Sequence, residues 1–269
     1  QQAPLLVEEQ VVEGWRDAVR LAVTAQGSLL VVERQGNSIA LLPAGQAVPL
    51  RVGGYGWGQT TLDGPSGVAT DGLSVLVSDR ENHRIQRFDR NLNYVATLAT
   101  RDTTVAQVRF GFPEGLAVSR QGDLYVLDGE GLRVVKFDVG GLFERSFGQS
   151  ERSAVKLTAP LDIVVTPGER VFVLEPNRVV EYDAFGNLMR TIGEGVIQRG
   201  VGMDATDDAL AVVTNDTLHW FDASGRLLWS LARNDVMSSR RLDALRDVAL
   251  AGNKVFLLAS WGVVILRRG

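Results

Sequence analysis

Residues 64–89 read GPSGVATDGLSVLVSDRENHRIQRFD, and weaker copies of that stretch recur along the chain. The copies align on an aromatic–aspartate pair: Phe88-Asp89, Phe137-Asp138, Tyr182-Asp183 and Phe221-Asp222, spaced by 49, 45 and 39 residues. One degenerate copy runs through Glu33 and Ile39, 46 residues ahead of Asp79 and Ile85. Another runs through Val263 and Leu266, 45 residues after Leu218 and Phe221. Six such units fill the 269 residues. A repeat of this size buries its apolar faces only against its neighbours, so the units must stack.

Within a unit the punctuation is regular. A turn ends near a proline, as at Pro65, Pro113 and Pro160, and a short apolar strand such as Leu116-Ala117-Val118 follows. A turn such as Asp71-Gly72 leads into a second apolar strand, Val75-Leu76-Val77 or Val171-Phe172-Val173. That strand is closed by an acidic or amide residue: Glu33, Asp79, Asp128, Glu175 or Asn215. The third strand ends in the aromatic–aspartate pair, and a second turn leads to a fourth. Short strands separated by turn chemistry, with no helical periodicity, define an all-β chain. Six units of four antiparallel strands predict a six-bladed β-propeller. It is a single domain over 1–269, with blades near 14–52, 57–102, 108–150, 155–195, 198–235 and 241–269. The last unit stops after its third strand, Val263-Val264-Ile265-Leu266, while a spare alternating stretch at 5–12 precedes the first unit. That stretch is expected to supply the last blade's fourth strand, closing the ring and removing an exposed edge.

Composition narrows the function. Net charge is −4 and the pI is near 5.3. A nucleic-acid binder draws most of its affinity from phosphate neutralisation, and no basic stripe is present. Nucleic acid is therefore not an expected partner. Cysteine is absent, which excludes disulfides, thiolate metal sites and cysteine nucleophiles. Its absence suits an oxidising compartment. The chain begins at Gln1, the pattern of a matured or trimmed form. An exported protein is expected: periplasmic, in the cell envelope or extracellular, with a lipid anchor as one mode of attachment. No apolar run approaches the roughly 18 residues of a membrane span.

The run Pro65-Ser66-Gly67-Val68-Ala69, then Ser78-Asp79, then Asn82-His83-Arg84-Ile85-Gln86-Arg87-Phe88-Asp89 resembles the NHL repeat, named for an Asn-His-Leu run whose third residue is Arg84 here. The third unit (Pro113-Glu114-Gly115, Leu127-Asp128, Arg133 to Asp138) and the fourth (Pro160, Asn177 to Val180, Tyr182-Asp183) follow it more loosely. The glycine-rich Gly53-Gly54-Tyr55-Gly56-Trp57-Gly58 is similar to an inter-blade connection of NHL propellers. The resemblance implies the six-bladed fold and leaves the function open. Amidating lyases of that class use three histidines on zinc. This chain has two, His83 and His219, in different blades.

Recurrence separates structure from function. Asp79, Asn82, Arg84 and Asp128 fall in the turn between second and third strands. Asp89, Asp138, Asp183 and Asp222 close the third strand. Positions repeated in several units read as structural, with short polar side chains bonding nearby backbone. The loop at 53–58 reads as flexible, with Tyr55 and Trp57 packed on the ring, although Trp57 and Trp15 are the tryptophans most open to exposure. Departure from the repeat's own pattern points the other way. At the start of each innermost strand, one aligned slot holds Arg20, Gly67, Gly115, Asp162, Gly202 and Asp247. The slot before it holds Val19, Ser66, Glu114, Leu161, Val201 and Arg246.

Propeller loops converge at that end of the channel, the upper face, so Arg20, Trp57, Glu114, Asp162, Arg246 and Asp247 are the candidate ligand- or partner-binding residues. Glu114, Asp162 and Asp247 are a candidate oxygen set for calcium, and Arg20 and Arg246 are candidate counter-charges or anion ligands. No catalytic residue is assigned and no cofactor is expected beyond that calcium. The expected role is a non-catalytic scaffold that presents loops to a protein or extracellular ligand. The alternative is a calcium-assisted hydrolase or lyase at the channel mouth, in the manner of gluconolactonase-like propellers.

Overall fold

The computed structural model describes residues 6–15, 17–149 and 154–268. Leu5, assigned to the closing strand, and positions 150 and 269, assigned to blade ends, lie outside the described residues. The first strand is β1 (Leu6–Glu13). Blade 1 follows as β2 (Ala18–Val23), β3 (Leu29–Glu33), β4 (Ser38–Leu42) and β5 (Leu50–Gly53). Blade 2 is β6 (Pro65–Thr70), β7 (Ser74–Asp79), β8 (Arg84–Asp89) and β9 (Tyr94–Ala99). Blade 3 is β10 (Pro113–Val118), β11 (Leu124–Asp128), β12 (Arg133–Phe137) and β13 (Phe143–Phe147). Blade 4 is β14 (Asp162–Val165), β15 (Val171–Glu175), β16 (Arg178–Tyr182) and β17 (Leu188–Ile192). Blade 5 is β18 (Gly200–Ala205), β19 (Ala209–Thr214), β20 (Thr217–Asp222) and β21 (Leu227–Ala232). Blade 6 is β22 (Leu245–Ala251), β23 (Lys254–Ala259) and β24 (Gly262–Arg268).

Blades 1 to 5 are antiparallel sheets in sequence order, and the sixth sheet runs β22–β23–β24–β1. Strand β1 pairs with β24 from Leu6 opposite Arg268 to Glu13 opposite Gly262. The ring therefore closes as expected, with the first strand of the chain completing the last blade. The only helix among the described residues is a single 3-10 turn, Arg233–Asp235, and no helix is long and apolar enough to cross a membrane.

The apolar side chains divide between the seams of adjacent blades. Val75 and Val77 of β7 pack toward blade 1 with Leu30 and Ile39. Leu76, between them, packs toward blade 3 with Leu116 and Val126. A strand alternates its side chains between two faces, so one buried on both sides reads as an unbroken apolar run. The last seam, between blades 6 and 1, holds Phe256, Leu258 and Val263 against Leu21 and Val31. Trp15, just after β1, lies in that seam at 3% exposure, so its expected exposure is corrected.

Five of the six innermost strands shift register at the same place, between Ala18 and Arg20, Pro65 and Gly67, Pro113 and Gly115, Gly200 and Gly202, and Leu245 and Asp247. Each shift is a bulge that bends the strand where it enters the ring. It sets the aligned slot opposite Val32, Ser78, Leu127, Val213 and Leu258, and Asp162 stands opposite Leu174 in the same way. The six slot residues read from sequence are thus structurally equivalent.

Candidate functional site

The channel is built from that slot. Where blades 2 and 3 meet it, glycines let the backbones approach: a Cβ on Gly67 would lie 3.0 Å from the Cα of Gly115. Around the rest of the ring, aspartates link neighbouring blades. Asp162 accepts a hydrogen bond from Met203 N of blade 5 at 3.1 Å, and Asp247 accepts one from Leu21 N of blade 1 at 2.8 Å. Their other oxygens accept from Ile163 N and Val248 N. One layer lower, Asp204 makes the same link from blade 5 to blade 6, accepting from Leu250 N at 2.7 Å and from Ala205 N. A buried backbone N–H needs a partner, and here each aspartate supplies it across a blade seam.

Arg20 reaches from blade 1 over the channel. Its guanidinium donates to Leu161 O and Val201 O, both at 2.8 Å, and to Val19 O at 3.2 Å. Its Nε lies 3.7 Å from Asp162 Oδ1. Burial works against the guanidinium charge, but Asp162, Asp247 and Glu114 outweigh it and raise the Arg20 pKa. Burial raises the Asp162 and Asp247 carboxyls, against the opposing pull of Arg20. Burial also pushes Asp204 up to about 7, with the Asp162 charge adding to the effect.

Asp162 and Asp247 converge, but on the guanidinium of Arg20. Glu114 stands apart, bound to Arg80 Nη2 at 2.8 Å. Among the described residues no three acidic or histidine side chains are grouped to hold a metal. Arg246 is half-buried with its Nε unpartnered and makes no ion pair among the described residues. His219 is buried on β20, bonded through Nδ1 to Ser230 Oγ at 2.8 Å.

The repeat motif has a different task. Buried Asp79 binds Asn82 Nδ2 at 2.9 Å, Arg84 Nε at 2.6 Å and Asp63 N. From that anchor, Asn82 donates to Gly56 O, and Arg84 donates to Trp57 O, Gly58 O and Thr61 O. Gln86 adds bonds to Gly58 O and Gln59 O. Gly53 starts the loop at φ +144°, where a Cβ would lie 2.2 Å from Asn37 O. Only glycine fits such a position. The expected flexible loop with packed aromatics is therefore corrected: its backbone is clamped, while Tyr55 and Trp57 project at 77% and 70% exposure. The Arg84 guanidinium lies 5.8 Å from the Trp57 ring centroid. His83 takes φ +52° and directs Nδ1 to Gly111 O at 3.0 Å, linking blade 2 to the next loop.

The other recurring aspartates order turns. Asp128 pairs with Arg133 at 3.2 Å and accepts from Gly111 N. Asp89 accepts from Asn91 N and Asn93 N, Asp138 from Leu142 N, Asp183 from Phe185 N and Asn187 N, and Asp222 from Ser224 N and Arg226 N. The channel residue missed in sequence is Asp204. Its slot holds Ala22, Ala69, Ala117, Val164 and Ala249 in the other blades, so the same search one layer lower finds it.

Comparison with known proteins agrees with this architecture. The NHL repeat model matches residues 62–88 and 110–137, in blades 2 and 3. The protein brain tumor of Drosophila melanogaster is 28% identical over 148 residues, which is 53% of this chain and 14% of that protein's length. A catalytically inactive virginiamycin B lyase from Staphylococcus aureus, solved with quinupristin, superposes with a TM-score of 0.65 at 13% identity, covering 96% of this chain and 98% of that one. Hydrazine synthase of Kuenenia stuttgartiensis gives 0.63 at 14% identity, covering 92% and 75%. Identities this low establish a shared fold only. The chain is thus a closed six-bladed β-propeller whose blades 2 and 3 match the NHL repeat.

Proposed function

We propose that this propeller is a non-catalytic binding module that holds a partner protein on its upper face, with Tyr55 and Trp57 as the anchors. The observation that carries the reading is the pairing of exposed aromatic rings with a clamped backbone. Water-exposed tryptophan and tyrosine are the residues most enriched among binding hot spots. A loop already fixed by six side-chain bonds loses little freedom when a partner covers it. The reading puts the protein in an exported compartment, the cell envelope, which its lack of cysteine suits. The alternative, a calcium-assisted hydrolase or lyase, would require Asp162 and Asp247 to give up Arg20 and Glu114 to give up Arg80.

The test compares immobilised parent protein with the Tyr55→Ala, Trp57→Ala double variant as baits for envelope extract. Both side chains are exposed, so the variant should melt with the parent and lose the captured partner. Equal capture by the two would move the binding face elsewhere. One equivalent of calcium retained after washing would favour the hydrolase.

A further inference from the structure

Below Arg20 the central channel holds a cavity of about 190 Å³. Arg20, Asp162 and Asp247 roof it. Its wall is the next layer of the inner strands: Ala22, Ala69, Ala117, Val164 and Ala249, with Asp204 in the sixth place. Farther down, Val23, Thr70, Val118 and Val165 are half-buried, so the cavity opens toward the lower face. It is smaller than the roughly 300 Å³ at which drug-sized pockets begin, so it suits one small group.

The charges in the cavity do not match. Arg20 is the one cation on its wall, and three carboxylates face it. The guanidinium is committed to three carbonyls and to the upper pair, Asp162 and Asp247. Asp204, a layer lower, has no cationic partner among the described residues. Its two oxygens accept only Ala205 N and Leu250 N. A carboxylate has about four acceptor positions, so about two remain directed at nothing. Asp204 is half-buried, and a carboxylate drawn partly out of water is costly unless paired. A hard metal ion fits poorly, since calcium takes 6–8 oxygens and the layer offers one carboxylate. A cation on an aliphatic stem fits both features, a single acidic acceptor and a wall of small apolar residues.

We infer that the lower half of the channel binds the ammonium end of a primary alkylamine, with Asp204 as its counter-ion and the alanine ring around its methylenes. The same chemistry is offered by a free amine and by a lysine side chain of a partner. The site is separate from the aromatic loop on the upper face, so either reading can fail without the other.

The experiment titrates n-butylammonium into the full-length protein at a pH above the Asp204 titration and follows the methyl resonances of Ala22, Ala69, Ala117 and Ala249. Saturable shifts of these four methyls are expected, with none for n-butanol. Asp204→Asn should weaken binding at least about tenfold, the scale of losing a charged hydrogen bond. A short acetylated peptide ending in lysine amide gives the second arm. Tighter binding of the peptide would support a partner's side chain as the source, and tighter binding of butylammonium would support a free amine. No saturable shift in the parent, equal shifts with n-butanol, or a folded Asp204→Asn protein that binds like the parent would overturn the inference. The parent's own shifts decide the matter even where the variant does not fold.

Discussion

The guanidinium of Arg20, in blade 1, donates to the carbonyl of Leu161, at the start of blade 4, 2.8 Å away across the centre of the ring. That bond joins blades that share no seam. It also places a positive charge between two buried aspartates. Arg20→Met keeps the stem and removes the charge, leaving Asp162 and Asp247 without a counter-ion. Removing one partner from a buried ion pair costs about 3–5 kcal/mol. Urea unfolding should show that loss, whereas a variant as stable as the parent would mean that the aspartates are neutral in the native ring.

Arg84→Ala should free the aromatic loop. Three backbone bonds vanish with the guanidinium, and buried Asp79 loses its ion pair. The expected signature is local: faster hydrogen exchange at Gly54, Gly56 and Leu62, whose amides now bond within and beside the loop. Partner capture should fall with it even though Tyr55 and Trp57 are intact. Unchanged exchange at those three amides would show that the glycine backbone holds the loop without the arginine.

Gly202 and Gly115 occupy the same slot with different neighbours. A Cβ on Gly202 would lie 2.2 Å from Asp247 Oδ1 and 2.8 Å from its Cα, whereas one on Gly115 would meet the Ile163 side chain at an ordinary 3.4 Å. Gly202→Ala should cost about 1–3 kcal/mol, the usual range for overpacking, and Gly115→Ala should be close to neutral. Equal melting temperatures for the two variants would contradict the asymmetric ring.

Asp204 predicts a pH dependence. Its carboxyl titrates near 7 in the folded protein against an ordinary value of 3.8. Between these values the native state keeps a proton that the unfolded state has lost. This group's contribution to stability is therefore full below the unfolded value, falls as pH rises through the window, and is flat above the folded value. Asp162 and Asp247 share the channel and Arg20 stays charged, so Asp204→Asn removes one carboxyl from a set whose other members remain. The variant should gain on the parent as pH rises from about 4 to about 7. A constant difference between them would mean that Asp204 titrates at its ordinary value.

Removing residues 1–13 should open the ring. It strips β1 from β24 and uncovers Val263 to Leu266 along a bare edge. Each kcal/mol lost lowers the melting temperature of a chain this size by roughly 2–4 °C, so calorimetry should show a fall of many degrees. A peptide of residues 6–13 added back should recover part of it. A truncated chain that melts with the parent would show the other five strand sets to be self-sufficient.

Most of the fold was legible because it rests on local chemistry repeated six times. Val75-Leu76-Val77 reads as a strand buried on both faces, and the missing strand after Leu266 called for the spare one at the start. The slot holding Arg20, Asp162 and Asp247 was legible as well, because each residue breaks its own repeat. Their partners were not. Nothing local shows that Arg20 spans the ring to Leu161, or that an aspartate side chain reaches a backbone N–H one blade on, since such distances depend on how the blades fan apart. The aromatic loop was misjudged for the same reason. Glycines at 53, 54, 56 and 58 look permissive in sequence, but the clamp comes from Asn82 and Arg84, more than 20 residues later.

The pairing of β1 with β24 also sets an order of assembly. Of the propeller's strands, β1 leaves the ribosome first and its partner β24 last. Until β24 emerges, Leu6 and its neighbours have nothing to pair with, so blades 1 to 5 can form while the clasp stays open. Joining two ends so far apart in sequence carries the largest loop-closure cost in the chain. Synthesis of β24 is thus the step that lets the ring lock, and a propeller cut short before Gly262 lacks the strand on which β1 closes.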